Sequence, residues 1–256
     1  MNEINDNLVI DGISIEIKSL IHKNSSLEPI IFLHEGLGSI SLWKSFPEKI
    51  YNLTKRDVVI YSRVGMGNSS AITKPRKTDY MHYEANYFLP KILNYLKINS
   101  PILLGHSDGA SIALIYTGSG NKVKSMVLEA PHVFVEKVSI KGIQDAKKLW
   151  KNSDLRDKLS KYHNDPDGAF NGWCNVWLSK EFINWNIENY LSKINCPILL
   201  IQGKQDTYGT IKQLESIENY TNGFTKRFEL ENCGHSPHTQ YPKEVATNIN
   251  DFLINN

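Results

Sequence analysis

A series of short, continuously apolar runs punctuates the chain. They are Pro29-Ile30-Ile31-Phe32-Leu33, Val58-Val59-Ile60-Tyr61, Pro101-Ile102-Leu103-Leu104, the stretch 122–128 with Val123, Met126, Val127 and Leu128, and Pro197-Ile198-Leu199-Leu200-Ile201. Apolarity without alternation marks a strand covered on both faces, as in a parallel sheet. Residues 225–230 read as a further strand. Near the start, Leu8-Val9-Ile10, the turn pair Asp11-Gly12 and the alternating Ile13-Ser14-Ile15-Glu16-Ile17 predict a β-hairpin.

Helical spacing fills the gaps. Leu42, Phe46, Ile50 and Leu53 fall on one face of a helix over 41–53; residues 79–96 read as a helix interrupted at Pro90, and 242–254 as a closing helix. Strands alternating with helices predict an α/β fold, a mostly parallel sheet with helices on both faces joined by right-handed crossovers. From 135 to 191 the strand signal stops. That segment is helical in pattern, charged on one side and rich in aromatics, Trp150, Trp173, Trp177 and Trp185 among them. The expected division is a core of 1–134 and 192–256 with a helical cap, 135–191, inserted after the sixth strand. Such a cap lies over the C-terminal strand edge, where open α/β sheets keep their sites.

One apolar run leads directly into chemistry. Gly105-His106-Ser107-Asp108-Gly109 matches G-x-S-x-G between a strand and a helix-forming stretch, Ala110-Ser111-Ile112-Ala113-Leu114. A serine at the apex of such a strand–turn–helix is held in strained backbone with its hydroxyl exposed, and the flanking glycines let strand and helix pass closely. The Asp108 amide, at the helix start, points to where an oxyanion forms. A serine hydroxyl needs a base, and the base an orienting acid. Asp206 follows the strand ending at Ile201, and His235 follows the strand ending near Leu230. The order Ser107, Asp206, His235 is the one this elbow uses. Glu129, also at a strand end, competes with Asp206 for the acid.

Composition narrows the partners. In 256 residues, 29 basic and 27 acidic side chains leave a net charge of +2 with no run of like charge, so no nucleic-acid footprint is expected. No apolar run approaches the ~20 residues of a membrane span, and the polar N-terminus lacks the features of a signal peptide. The three cysteines, Cys174, Cys196 and Cys233, are widely spaced and read as reduced thiols rather than metal ligands. A cytoplasmic protein without metal or cofactor, monomeric or homodimeric and acting on a small molecule, is the expectation.

Taken together, these segments resemble an α/β-hydrolase fold enzyme of the capped, esterase-like kind over nearly the whole chain. Besides the elbow, the stretch from Ile31 to Trp43 (IFLHEGLGSISLW) resembles the segment that carries that family's first oxyanion donor. Ser62-Arg63-Val64-Gly65-Met66-Gly67-Asn68-Ser69 resembles its strand-end loop, and Gln202-Gly203, Asp206 and Cys233-Gly234-His235 its acid and histidine loops. The family's His-Gly pair is here His34-Glu35, so the small residue stands one position on. Anchored on His34, the resemblance assigns Gly36 as the first donor, with Leu37 as the fallback, beside the Asp108 amide. Serine at 107 in place of aspartate argues against epoxide-hydrolase or haloalkane-dehalogenase chemistry.

The remaining polar residues read as supports. His34 and His106 are expected to bond nearby backbone, Arg63 to brace its glycine-rich loop, and the Asp108 side chain to complement a helix N-terminus. His132, Trp173 and Trp177 are candidate pocket residues; His163 and His238 carry no assignment. The expected activity is hydrolysis of an ester or thioester of a small apolar or aromatic compound through an acyl-enzyme. Cleavage of a C–C bond beside a carbonyl, as in ring-cleavage-product hydrolases, uses the same triad. Peptidase action is disfavoured by the lack of an acidic cluster to hold an amine. A non-catalytic ligand binder of this fold would be expected to have lost a triad member.

Overall fold

A computed structural model describes residues 2–23 and 25–256. Its hairpin joins β1 (Asn2–Ile10) to β2 (Ile13–Ile21) through Asp11 and Gly12, both at positive φ (50° and 82°), the conformation a two-residue turn between twisted strands requires. Then follow β3 (Ile30–Leu33), α1 (Phe46–Thr54), β4 (Val58–Tyr61), α2 (Tyr80–Tyr83), a π-helical turn (Glu84–Phe88), α3 (Leu89–Tyr95), β5 (Ile102–His106), α4 (Asp108–Gly118) and β6 (Ser125–Glu129). Four helices, α5 (Lys137–Asn152), α6 (Leu155–Leu159), α7 (Pro166–Trp177) and α8 (Glu188–Leu191), separate β6 from β7 (Ile198–Gly203). The chain ends with α9 (Lys212–Tyr220), β8 (Thr225–Leu230), α10 (Pro237–Gln240) and α11 (Pro242–Ile254).

The eight strands form one sheet in the order β1-β2-β4-β3-β5-β6-β7-β8. The β1–β2 and β2–β4 pairs are antiparallel and all others parallel. Both faces of the central strands are covered, which is why they read as unbroken apolar runs. Ile31, Leu33, Val59, Tyr61 and Leu103 enter one core, while Ile30, Phe32, Val58, Ile60, Ile102 and Leu104 enter the other. The second core also takes residues of α1 and α11, such as Ile50 and Ile249. Helix α4 is buried along its whole length, so no amphipathic stripe marks it.

The helical segment after β6 leaves and rejoins the core at one place. Phe134 bridges Asn186, and the Ile187 amide donates to the Val133 carbonyl at 2.7 Å. Helix α8 then packs back against α4, where a side chain at Gly118 would overlap the Tyr190 main chain.

Three elements differ from the sequence reading. The hairpin extends outward to Asn2 and Ile21; β1 is exposed along nearly all its length, so no buried face imprints a pattern on it. The helix over 79–96 is interrupted by the π-turn ahead of Pro90, and Pro90 sits in the first turn of α3, where its missing N–H costs nothing. Helix α9, unforeseen, shows only Leu214 and Ile217 as buried apolar anchors. Among the described residues no helix is long and apolar enough to cross a membrane.

Candidate active site

Strand β5 ends at His106, and the chain turns into α4 through Ser107 at φ 53° and ψ −117°. An L-residue holds that conformation only when its surroundings enforce it. Here the Ser107 amide donates to the Glu129 carbonyl at 2.9 Å, and its carbonyl accepts from the Ala110 amide at 2.9 Å. A Cβ at Gly105 would overlap Gly109 and Ala110, and one at Gly109 would overlap the Leu33 carbonyl. Glycine at both positions lets β5, α4 and β3 approach closely enough to raise the serine over the sheet edge.

Asp206 and His235 reach the same edge from the ends of β7 and β8. The Gln205 amide donates to the Cys233 carbonyl at 2.8 Å and Lys204 to the Leu230 carbonyl at 2.9 Å, tying the two loops together. His235 Nδ1 donates to Asp206 Oδ2 at 2.8 Å. The carboxylate is otherwise saturated: Oδ2 also accepts from Gln202 Nε2 at 2.7 Å, and Oδ1 from the Tyr208 amide at 2.7 Å. Burial works to raise the Asp206 carboxyl, but the His235 charge and hydrogen bond, with the Tyr208 amide, outweigh it and hold it at about 2. Asp206 is therefore an anion that orients His235 and leaves Nε2 as the free nitrogen. Glu129, the competing acid, is engaged elsewhere, accepting from His238 Nδ1 at 2.7 Å.

Ser107, His235, Asp108, Gly36, Leu37, His132, Trp173 and Trp177 all line one cavity of about 240 Å³. Among the described residues Ser107 Oγ donates to no protein acceptor, and no hydrogen bond joins it to His235. Catalytic hydrogen bonds often tighten only once a substrate is bound.

The loop after β3 is a turn closed by the Gly38 amide donating to the Glu35 carbonyl at 3.0 Å. That carbonyl accepts also from His34 Nδ1 at 2.7 Å and Arg63 Nη2 at 2.7 Å, while the Arg63 amide donates to His34 Nε2 at 3.0 Å. A trans peptide points N–H opposite to C=O, so three donors on the Glu35 carbonyl fix the direction of the Gly36 amide. The Gly36, Leu37 and Asp108 amides donate to no protein acceptor among the described residues. His34 bonds nearby backbone as read, whereas the Arg63 side chain, expected to brace its own glycine-rich loop, reaches across to the Glu35 carbonyl, and Arg76 Nη2 bonds the Val64 carbonyl of that loop.

Sequence reasoning missed several cavity residues. Glu35, Ser139, Ile143, Tyr208 and Ser236 complete the lining. Ser139 and Ile143 lie on α5 and Tyr208 on a loop beyond Asp206, positions that carry no motif. Glu35 is the notable one, because no acidic group was foreseen facing the cavity. His132 sits with its ring 5.8 Å from that of His235 and 5.2 Å from Trp177. Burial, then the His235 charge, depresses it to about 3, so it faces the cavity as a neutral imidazole.

His106 joins the two sides of the site. Its Nε2 donates to the His235 carbonyl at 2.7 Å, and its Nδ1 lies 3.5 Å from Glu35 Oε2. Burial alone would lower the imidazolium, but Glu35 reverses this and pushes it up to about 9. A folded-state value above the ordinary one near 6.5 contributes stability that is complete below that pH and lost as pH rises through 9. Urea unfolding from pH 6 to 10 is expected to show a loss of about 3 kcal/mol in the wild type, at about 1.4 kcal/mol per pK unit, and a flatter profile in His106→Asn. Parallel profiles for the two proteins would count against the pair.

A family model described as alpha/beta hydrolase fold matches residues 28–171. A Mycoplasma genitalium protein named as an esterase/lipase is 25% identical over 90% of this chain and 92% of its own length. A proline iminopeptidase of Lactobacillus delbrueckii subsp. bulgaricus is 24% identical over 88% of this chain and 90% of its own. Among solved structures, a bacterial membrane phospholipase A superposes with a TM-score of 0.77 at 18% identity, covering 99% of this chain and 86% of that one. A proline iminopeptidase of Mycobacterium smegmatis superposes at 0.73 and 17% identity, covering 98% of each chain.

Proposed function

Given that the chain belongs to the alpha/beta hydrolase fold family, we propose that it is a serine hydrolase that cleaves small carboxylic esters or thioesters through an acyl-enzyme. One observation carries this reading. A serine held at φ 53° shares a cavity with an imidazole whose far nitrogen is fixed by a buried carboxylate at 2.8 Å.

His235 Nε2 takes the Ser107 proton as Oγ attacks the substrate carbonyl carbon. The negative oxygen forms against the Gly36 and Asp108 amides. The tetrahedral intermediate collapses, His235 passes its proton to the leaving oxygen or sulfur, and the alcohol or thiol departs. A water then gives a proton to the same nitrogen as its oxygen attacks the acyl carbon; the second tetrahedral intermediate breaks its bond to Ser107 Oγ, Oγ takes that proton back from His235, and the acid leaves. Asp206 remains ionised throughout and holds the ring in register.

The cavity of about 240 Å³ falls below the ~300–1,000 Å³ of sites for drug-sized ligands, which supports a small substrate. Trp173, Trp177, Leu37 and Ile143 supply an apolar wall suited to an alkyl or aromatic acyl group. Residues 135–191 act as the cap in this reading, since α5 and α7 furnish much of that wall.

A fluorophosphonate is expected to label the wild-type protein at Ser107, located by mass spectrometry of the modified peptide. Turnover of short p-nitrophenyl esters should accompany it. Absence of both would sink the proposal. A second reading, removal of an N-terminal residue from small amides, is favoured by Glu35, whose side chain is 28% exposed at the cavity and can meet an amine. Aminoacyl p-nitroanilides turned over faster than the matched esters would select it.

A further inference from the structure

We propose that the helical insertion is part of the oxyanion hole's support, with His163 as a positioning residue for the half that carries Gly36. The inference rests on the serine-hydrolase reading and goes beyond it.

His163, between α6 and α7, is buried, and both of its ring nitrogens are used. The Gly67 amide donates to Nδ1 at 2.9 Å. An amide can only donate, so Nδ1 is unprotonated and the proton sits on Nε2. Nε2–H then donates to the Leu37 carbonyl at 2.9 Å. The next residue reinforces the clip, Asn164 donating its amide to the Gly67 carbonyl at 2.9 Å.

Leu37 shares its peptide with Gly38, whose amide is held by the Glu35 carbonyl at 3.0 Å. The Leu37–Gly38 peptide is thus gripped at its oxygen by the insertion and at its nitrogen by the core. Turn peptides without such partners rotate readily. With it fixed, the two free amides of the turn, Gly36 and Leu37, are left to the cavity. Trp173 on α7 presses the same turn, since a Cβ at Gly36 would overlap its indole.

The other half of the hole has its own link to the insertion. Trp177 Nε1 donates to the Tyr80 hydroxyl at 3.1 Å, and that hydroxyl donates to Asp108 Oδ2 at 2.5 Å. Arg63 Nη2 lies 3.7 Å from the same oxygen. The carboxylate that adjoins the second donor amide is therefore held by a chain that starts on α7. Seating of the insertion and alignment of both donors are one event.

Removing an oxyanion donor costs on the order of a hundredfold, and loosening one costs less. His163→Leu deletes both ring hydrogen bonds; His163→Gln keeps a donor near the Nε2 position. The expected result for His163→Leu is a kcat on a p-nitrophenyl ester roughly tenfold lower, with KM within about twofold. Affinity for butylboronic acid, which forms a tetrahedral adduct on the serine, should fall by the same factor, and His163→Gln should recover most of both. Should His163→Leu fail to fold, Tyr80→Phe removes the link to Asp108 and is expected to show the same split. Wild-type kcat and boronate affinity in these variants would overturn the inference. So would a loss carried by KM, with the boronate affinity unchanged. A wild type inert to fluorophosphonate and ester sinks the serine-hydrolase reading and this inference with it; a reactive wild type with indifferent variants sinks this inference alone.

Discussion

Ser107→Ala is expected to lower kcat on a short p-nitrophenyl ester by on the order of 10⁵-fold, the scale of losing a nucleophile that works as one unit with its base. The stability of the variant should be close to that of the wild type. Alanine keeps the Cβ, so the strain at φ 53° is the same, and the hydroxyl donates to no protein group among the described residues. Ser107→Gly is expected to be as inactive but more stable by about 1 kcal/mol, because glycine adopts positive φ without a clash. Steady-state kinetics beside urea unfolding separates the two effects. Retained turnover in both variants would remove Ser107 from the mechanism. Equal stability of the two would mean that the turn carries no strain.

The largest structural effect is expected at Gly109. A methyl group there would overlap the Leu33 carbonyl and lie against that of His34, both main-chain atoms at the end of β3. Main chain at a sheet edge does not rotate aside as a side chain does. Gly109→Ala must therefore push α4 away from β3, and a destabilisation of about 3 kcal/mol or more is expected. That exceeds what alanine gains over glycine in a helix, about 1 kcal/mol. The same displacement would separate Ser107 from the loop carrying Gly36, so folded variant should lose kcat more than KM. A Gly109→Ala protein of unchanged urea midpoint and activity would show that the approach of α4 to β3 is looser than the structure has it.

These predictions also bear on how the site is stabilised. Arg63, Glu84 and Asp108 are buried, with Tyr61 and Tyr80 hydrogen-bonded to the two carboxylates. Polar groups taken out of water cost free energy unless they are partnered. Holding Asp108 in this way is what the proposed oxyanion hole requires of the residue that carries its second amide.

The α/β pattern was legible because burial on both faces leaves a local mark. A strand covered above and below is apolar through its middle, and β3, β4, residues 102–104 of β5 and residues 198–201 of β7 are. The elbow was legible for a similar reason: a residue at φ 53° between close-packed elements demands glycines at fixed offsets. Asp206 follows β7 and His235 follows β8, so strand ends and chain order pointed to both, with Glu129 left as a rival for the acid. The outer part of β1, residues 2–7, and helix α9 were not legible, since one is exposed and the other anchors through few apolar residues.

What the chain determined by itself was each local requirement: which runs must be buried, where glycine must stand, and which side chains end on the sheet edge. Tertiary structure alone decided the pairings. Glu129 ends β6 and Asp206 follows β7, and only the packing of α10 and of the loop before it gives one to His238 and the other to His235. Glu35 facing the cavity, His163 gripping the Leu37 carbonyl and Trp177 reaching Asp108 through Tyr80 join residues far apart in sequence. A hydrogen bond between such residues imposes no spacing on the chain, because its geometry is set by how the layers stack.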